Sequence, residues 1–580
     1  ADEAICIGGA PSAESYLRIG RIIGAAEISD VDAIHPGYGF LSENAHFAEV
    51  CENCNIRFIG PKSDAMNALE DKALSRELAR KAGVPIPPGS KDVVETEQEA
   101  LKTAKEIGYP VMIKAVAGGG GKGLKIAGDR DSFHLQLESA RREAGASFGN
   151  EKMLLEKYLE SPRHIEIQVF ADRHGNVVSL FERDCSIQRR HQKILEEAPA
   201  TNFSARLRAE MGAAACKLAE TIAYEGAGTV EFLVDTQGQY FFLEMNTRLQ
   251  VEHGITEAIT GLDLVEWQLL VAAGAELPLK QEEIAMQGHA IEARVYAEDS
   301  FGGFLPQAGR AGEVRWPTGD RVRVDHSLVS GQEVSTSYDP MLGKVVAGGT
   351  DREDARRRLV AALDDTVVLG LTTNTGFLRA LADHAAFRDV GHEGGLDTAW
   401  LDRVDVATEV PAPTTDEARQ LAAWAVHLAE SETTGPFASD GFRLGAPPAP
   451  VVVPLDEDVV LGRRPRLDPA AHVTPASVEV VLRGQRFRFE RGDLAGDHAD
   501  EHTGDLVAPM PGTVLDVRVE VGGTVEEGQV LGVLEAMKME LALKAPYAGT
   551  VTVVDATVGR QVPLGHVLFH VEPTGQEDQE

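Results

Sequence analysis

Glu244-Met245-Asn246-Thr247-Arg248-Leu249-Gln250-Val251-Glu252 places a charged or amide side chain at every second position, directly after the apolar run Tyr240-Phe241-Phe242-Leu243. If the stretch is extended, a period of two puts Glu244, Asn246, Arg248, Gln250 and Glu252 on one face. Five such side chains cannot form a core, so the face is either a solvated exterior or the wall of a polar site. Counting back across Gln237-Gly238, a two-residue loop pairs Thr236 with Gln239, Val234 with Phe241, and Glu231 with Glu244. Opposed carboxylates destabilise a sheet and raise each other's pKa unless a cation lies between them. A hard divalent ion resolves the conflict: magnesium accepts one or two carboxylates plus phosphate oxygens, and Asn246 can add an amide oxygen. The alternative is an exposed pair repelling weakly in solvent.

Upstream, the strand-like run Tyr109-Pro110-Val111-Met112-Ile113-Lys114 leads towards Gly118-Gly119-Gly120-Gly121-Lys122-Gly123, and Leu124-Lys125-Ile126-Ala127 follows. The glycines satisfy G-x-G-x-x-G, but a strand rather than a helix comes next, which rejects a Rossmann site. No Lys-Ser or Lys-Thr closes the run as a P-loop would. Glycines between two strands instead make a flap whose N–H groups can close over phosphates, with Lys122 adding charge and Lys114 projecting from the incoming strand. A second polar run, Glu182-Arg183-Asp184-Cys185-Ser186-Ile187-Gln188-Arg189-Arg190-His191-Gln192-Lys193, lies between strands and reads on its own as a solvated loop.

These stretches together resemble the biotin carboxylases of the ATP-grasp superfamily. The match to the EMNxRxQVEH motif is complete through His253, and Gly254 stands where the family usually has proline, a departure expected to loosen that turn. The resemblance implies an ATP site at Lys72, Lys114, the Gly118–Gly123 flap, Glu156, Lys157 and Leu159 beside the adenine, with His164, Gln188, His191 and Leu233 also near the nucleotide. It implies that Glu231, Glu244 and Asn246 hold magnesium or manganese. Glu252 would deprotonate bicarbonate held by Lys193, Arg248, Gln250 and the Val251 backbone, for attack on the γ-phosphate. Carboxyphosphate then breaks to carbon dioxide and phosphate, the phosphate takes the ureido proton of biotin, and Arg294, within GHAIEARVYAED, stabilises the resulting negative charge. His35-Pro36-Gly37-Tyr38-Gly39-Phe40-Leu41-Ser42-Glu43-Asn44 resembles a loop of the family's N-terminal domain, and the βαβ unit that precedes it in the family is absent here, so the chain reads as one lacking its start.

Near the other end, Glu535-Ala536-Met537-Lys538-Met539-Glu540 frames one lysine between methionines and carboxylates. The sequence APMPGTV from Ala508 returns as APYAGTV from Ala545, and the same offset of 37 aligns Val521-Gly522 with Val558-Gly559 and Val530-Leu531 with Val567-Leu568. Two copies of short β-rich runs read as two interlocked small sheets with Lys538 at a hairpin tip. The frame and the repeat resemble the flattened β-barrel of biotin carboxyl carrier domains, which implies that Lys538 carries covalent biotin.

The chain is 580 residues long and 43% apolar, enough for roughly three to five domains, and no apolar run could span a bilayer. Lys+Arg of 56 against Asp+Glu of 91 gives a net charge of −35, which excludes nucleic acid and anionic membranes as partners. Five scattered cysteines suit reduced thiols in the cytoplasm, and Cys51 and Cys54, a lone C-x-x-C in a helix, read as packing residues. The expected fold class is α/β and α+β multidomain: a partial biotin carboxylase N-terminal domain (1–61), an ATP-grasp domain (62–283), a carboxylase C-terminal lobe (284–402), a linker or partner-binding domain (403–503) and an all-β biotinyl domain (504–574). The first of these is expected to open with a strand at Glu3–Gly8. The resemblance implies an acyl-CoA carboxylase α subunit in a multimeric complex, served by a biotin protein ligase and supplying a carboxyltransferase β subunit. Acetyl- or propionyl-CoA, as in fatty acid biosynthesis, is the expected acceptor. A methylcrotonyl-CoA complex, or a carrier scaffold with an inactive carboxylase, is the alternative.

Overall fold

The structure is a computed structural model that describes residues 2–90, 93–94, 96–116, 124–189, 192–389, 396–404, 409–410, 412–430, 449–465, 470–491, 504–509, 511–536, 539–563 and 565–573. In the first unit α1 (Ile19–Ile28), β1 (Ala33–Ile34), α2 (Ala45–Asn53), β2 (Arg57–Phe58) and α3 (Ser63–Glu70) follow one another, with β1 and β2 parallel. Phe47, Ala48, Cys51, Phe58 and Met66 make its core. Burial and the neighbouring Cys54 push the Cys51 thiol up to about 11, as suits a packing residue. Glu3–Gly8, expected as a strand, has no regular structure: no described strand pairs with it, and without a neighbouring strand its backbone has no ladder to join, only single contacts such as Arg21 donating to Ile7 O.

A small lobe follows: α4 (Lys72–Lys81), α5 (Glu97–Ile107), β3 (Val111–Ala115), β4 (Leu124–Ala127), α6 (Arg130–Phe148) and β5 (Met153–Lys157), with the sheet ordered β4-β3-β5. Asp71 caps α4 by accepting from the N–H groups of Ala73 and Leu74, which orients Lys72 in the first turn. β3 and β4 are antiparallel neighbours with Lys114 opposite Leu124, so the glycine run joins two strands as a flap requires; residues 117–123 themselves lie outside the described residues.

The body of the molecule is one antiparallel sheet. β6 (Arg163–Ala171), β7 (Val177–Arg189), β8 (Gln192–Ala198), α7 (Ala205–Thr221), β9 (Gly226–Val234), β10 (Tyr240–Asn246), α8 (His253–Thr260), α9 (Leu264–Ala272) and β11 (His289–Tyr296) precede the strands Val322–His326 and Met341–Gly349. The order β10-β9-β6-β7-β8-β11 continues through Met341–Gly349 to Val322–His326. On one face Ile165, Ile167, Val169, Val230 and Phe232 pack on Met211 and Leu218 of α7, and further along Ile291, Ala293 and Val345 pack on Leu359 and Leu363. The opposite face is polar, because His164, Glu166 and Gln168 alternate with those apolar residues. α8 covers its far half, with Ile255 and Ile259 against Ala198, Ala290 and Val346.

Past this sheet and its helices, the helix Thr415–Glu430 packs on the three-stranded sheet Ala471–Val473, Ser477–Leu482 and Gln485–Glu490. The last unit is two four-stranded sheets, one ordered Asp505–Val507, Val567–Pro573, Gly549–Val554, Thr524–Val525 and the other Met539–Lys544, Val530–Ala536, Gly512–Val517, Gln561–Val562. Each sheet takes strands from both copies of the repeat, so neither copy can bury its apolar face alone. Ala536 pairs with Met539 across a hairpin whose two connecting residues, Met537 and Lys538, lie outside the described residues. Among the described residues no helix is long and apolar enough to cross a membrane.

Candidate active site

The pair Glu231 and Glu244, expected as metal ligands, comes from the β9–β10 hairpin, and two departures from the expected hairpin cancel there. Asp235 N–H donates to Gln239 O and Gly238, at φ 79°, closes the turn, so the loop has three residues rather than two. Val234 is thereby opposite Tyr240 instead of Phe241, and a bulge between Phe242 and Glu244 restores Glu231 opposite Glu244. Burial would raise the Glu231 carboxyl, but Lys193 and His164 outweigh it and hold Glu231 well below the usual range. Glu244 is exposed to solvent, yet the protein packed around it and Glu231 raise its pKa, while Lys72 opposes. Asn246 lies beside them, its amide 2.9 Å from Glu231. Hard oxygen donors on Glu231, Glu244 and Asn246 fit a magnesium ion better than the neighbouring trio His164, Glu166 and Glu231, whose Glu166 already pairs with Arg183 and Lys193.

The extended face does not continue past Asn246. β10 ends there, residues 247–252 turn, and Glu252 is the residue before α8. Arg248, Gln250 and Glu252 reach the cleft by this turn rather than by strand alternation, because the chain must leave the sheet edge to start the covering helix. Arg248 donates to Gln250 Oε1 at 2.7 Å and to Glu43 at 2.9 Å, and Thr247 N–H donates to the other Glu43 oxygen at 3.0 Å. Val251 O accepts from Lys344. Gly254 lies in the first turn of α8, where a proline is also tolerated, so it does not loosen a turn as expected.

Lys193 joins the two halves. Its Nζ lies 2.6 Å from Glu166, 3.0 Å from Glu231 and 2.7 Å from Glu252. A register shift between β7 and β8, Ile187 opposite Leu195 but Gln188 opposite Lys193, turns Lys193 onto the polar face. Burial would lower its pKa, and the three carboxylates raise it well above the ordinary value, so it stays charged. Burial would likewise raise Glu252, yet Lys193, Arg294 and Arg183 hold it well below the carboxylate range. Arg294 Nη2 is 2.9 Å from the second Glu252 oxygen.

Among the expected nucleotide contacts, His164 Nε2 is 2.8 Å from Glu231, Gln188 reaches His164 Nδ1 at 3.2 Å, and Leu233 is the Cα partner of His164. Glu156 and Lys157 differ from a plain adenine edge. The Glu156 carboxylate, which burial would raise, is held low by Lys114 and Arg76, and Lys157 Nζ donates to Gly108 O and Tyr109 O. Leu159 is half-buried on the loop after β5. His191, with the flap, lies outside the described residues. The sequence pointed to no role for Glu166, Arg183, Glu196, Glu292 and Lys344, although for Glu166 and Glu292 the polar residues two apart within the buried strands β6 and β11 were a legible signal.

Residues 71–280 match the family described as carbamoyl-phosphate synthase L chain, ATP binding domain, 292–403 the biotin carboxylase C-terminal domain, 1–66 the biotin carboxylase N-terminal domain, and 504–571 biotin-requiring enzyme. The methylcrotonoyl-CoA carboxylase subunit alpha, mitochondrial, of Dictyostelium discoideum is 42% identical over 610 residues, which cover 95% of this chain and 87% of that protein. The chain belongs to the biotin-dependent acyl-CoA carboxylase α subunits. Its carboxylase body is similar to the biotin carboxylase of Campylobacter jejuni, solved as a βγ-ATP complex, with a TM-score of 0.67, 45% identity and coverage of 70% of this chain and 89% of that one. It is also similar to the biotin carboxylase domain of Hydrogenobacter thermophilus 2-oxoglutarate carboxylase, solved with MgADP, ADP and bicarbonate, with a TM-score of 0.65, 42% identity and coverage of 69% and 86%. This α subunit is an ATP-dependent ligase that carboxylates biotin, with covalent biotin and ATP as its cofactors.

Proposed function

We propose that this α subunit carboxylates the biotin on Lys538 with bicarbonate and ATP, and that its carboxyltransferase partner passes the carboxyl group to methylcrotonyl-CoA. The observation that carries the carboxylase chemistry is Lys193 bridging Glu166, Glu231 and Glu252 while Arg294 holds the other Glu252 oxygen. Glu252 enters ionised and can take the bicarbonate proton. Its low pKa makes it a weak base until a bicarbonate-derived anion competes for Lys193 and Arg294 and releases it. Lys193, Arg248, Gln250 and the Val251 backbone surround that anion. The oxygens of Glu231, Glu244 and Asn246 would hold magnesium, which neutralises the phosphates when bound. Carboxyphosphate, formed by attack on the γ-phosphate, breaks to carbon dioxide and phosphate, and the phosphate accepts the ureido proton beside the Arg294 guanidinium.

Methylcrotonyl-CoA replaces acetyl- or propionyl-CoA as the acceptor because relatives that span nearly the whole chain are methylcrotonoyl-CoA carboxylase α subunits. The unpaired cysteines fit a reducing compartment, cytosol or mitochondrial matrix. The test is to co-purify the biotinylated chain with its carboxyltransferase and compare carboxylation of the three acyl-CoA esters. Faster turnover of propionyl- or acetyl-CoA would overturn the acceptor and leave the carboxylase standing. No bicarbonate- and biotin-dependent ATP cleavage would leave a carrier scaffold.

A further inference from the structure

Glu196 of β8 and Glu292 of β11 are direct Cα partners on the polar face of the sheet. Glu196 is 1% exposed and Glu292 fully buried, and none of their four oxygens has a hydrogen-bond partner among the described residues. The charged and titratable groups facing Glu196 are Arg294, Glu252, Lys193 and Tyr296; those facing Glu292 are Lys344, Arg294, Glu252 and Asp325. The cations are shared. Arg294 Nε is 2.6 Å from Glu196 while its Nη2 holds Glu252, and Lys344 is 3.7 Å from Glu292 but 3.3 Å from Asp325. Two adjacent carboxylates cut off from water, whose cations Arg294 and Lys344 are shared with Glu252 and Asp325, cannot both be ionised.

We propose that Glu196 and Glu292 share one proton and act as a positioning pair that keeps Arg294 directed at Glu252 and the reacting anion. The singly protonated pair carries one negative charge, enough to anchor Arg294 Nε. Loss of that proton would add a second charge beside the guanidinium and draw it away from Glu252. Burial first and Glu292 after it push Glu196 up to about 8, with Arg294 opposing, which puts the loss just above neutral pH.

The inference rests on the carboxylase reading, since it concerns Arg294 and Glu252 at the chemistry. It is tested on the full biotinylated chain by the pH profile of bicarbonate- and biotin-dependent ATP cleavage. The wild type is expected to lose activity about tenfold as the pH rises through the pair's ionisation, the alkaline arm of a bell-shaped profile. In Glu196→Gln and in Glu292→Gln the remaining carboxylate already bears the single charge, so the alkaline loss disappears whatever the absolute rate. Persistence of that loss in both variants would overturn the pair. Infrared titration of the wild type is a second readout that needs no variant: a protonated-carboxyl band should be present at pH 7 and vanish over the same range, and its absence at pH 7 would overturn the proposal. A wild type with no biotin-dependent ATP cleavage counts against the carboxylase reading, and the infrared band still decides the shared proton.

Discussion

Glu231 and Glu244 stand as direct Cα partners across the β9–β10 hairpin, although the loop between their strands is one residue longer than Gln237-Gly238 implies. The bulge after Phe242 absorbs the extra residue. Two like charges are thus held opposite each other at the cost of strand regularity, and a cation bound between them would offset their repulsion.

Glu244→Gln removes one of those charges. The metal-free protein should be unchanged in stability or gain up to about 1 kcal/mol. The magnesium concentration that half-saturates ATP cleavage should rise by at least about tenfold, or about 1.4 kcal/mol. Unaltered magnesium dependence in a steady-state titration would contradict the ligand role.

Lys193→Met leaves Glu166, Glu231 and Glu252 facing one another without their shared cation. Breaking a buried ion pair from one side costs about 3–5 kcal/mol, so urea unfolding should show a loss of that size alongside loss of turnover. A change under about 1 kcal/mol would mean that water already compensates the cluster.

Glu252→Gln keeps the shape of the side chain and removes the base. Nucleotide affinity, measured by calorimetry, should hold. Carboxylation of free biotin should fall by more than about tenfold, roughly 1.4 kcal/mol of barrier.

Glu197, the Cα partner of Ile291 on the face of the sheet that packs against the helix Arg352–Asp365, is held at about 2 because His289 and Arg352, 2.8 and 2.7 Å away, overcome the burial that would raise it. A depressed carboxylate contributes stability above its unfolded pKa and loses it as the pH falls to its folded one. That stability, about 3 kcal/mol, should disappear between about pH 4.5 and pH 2. In Glu197→Gln the melting temperature at pH 7 should be lower and its acid fall shallower over that window.

Lys538→Arg should abolish biotinylation by a biotin protein ligase, seen by intact mass as the loss of a single added biotin. A second modified lysine, or biotin retained in the variant, would refute the assignment of the hairpin tip.

Much of the site was legible because its signals are local. The period-two polar pattern from Glu244 pointed to a site wall, and Asn246 with Glu244 lies where the pattern says. The same pattern failed beyond Asn246, since nothing in an alternating run marks where the chain must leave the sheet to start α8. The glycine run was separated from a Rossmann loop by the strand that follows it, and β3 and β4 are indeed paired around it. The ion pairs of Glu156 with Lys114 and Arg76 were not legible, because those partners come from β3 and α4, which no local pattern associates with it.

The sequence by itself determined the building units of this protein: the strands with polar residues at alternate positions, the 37-residue repeat that makes two interlocked sheets, and the motif that carries the family. Each depends on residues close in the chain, where side-chain periodicity and turn chemistry act directly. Only the tertiary structure decided that Lys193 serves three carboxylates, that Arg294 is divided between Glu196 and Glu252, and that Glu196 meets Glu292. Those contacts depend on strand order and on registers adjusted by single-residue shifts, and a shift of one residue moves every later side chain of a strand to the opposite face.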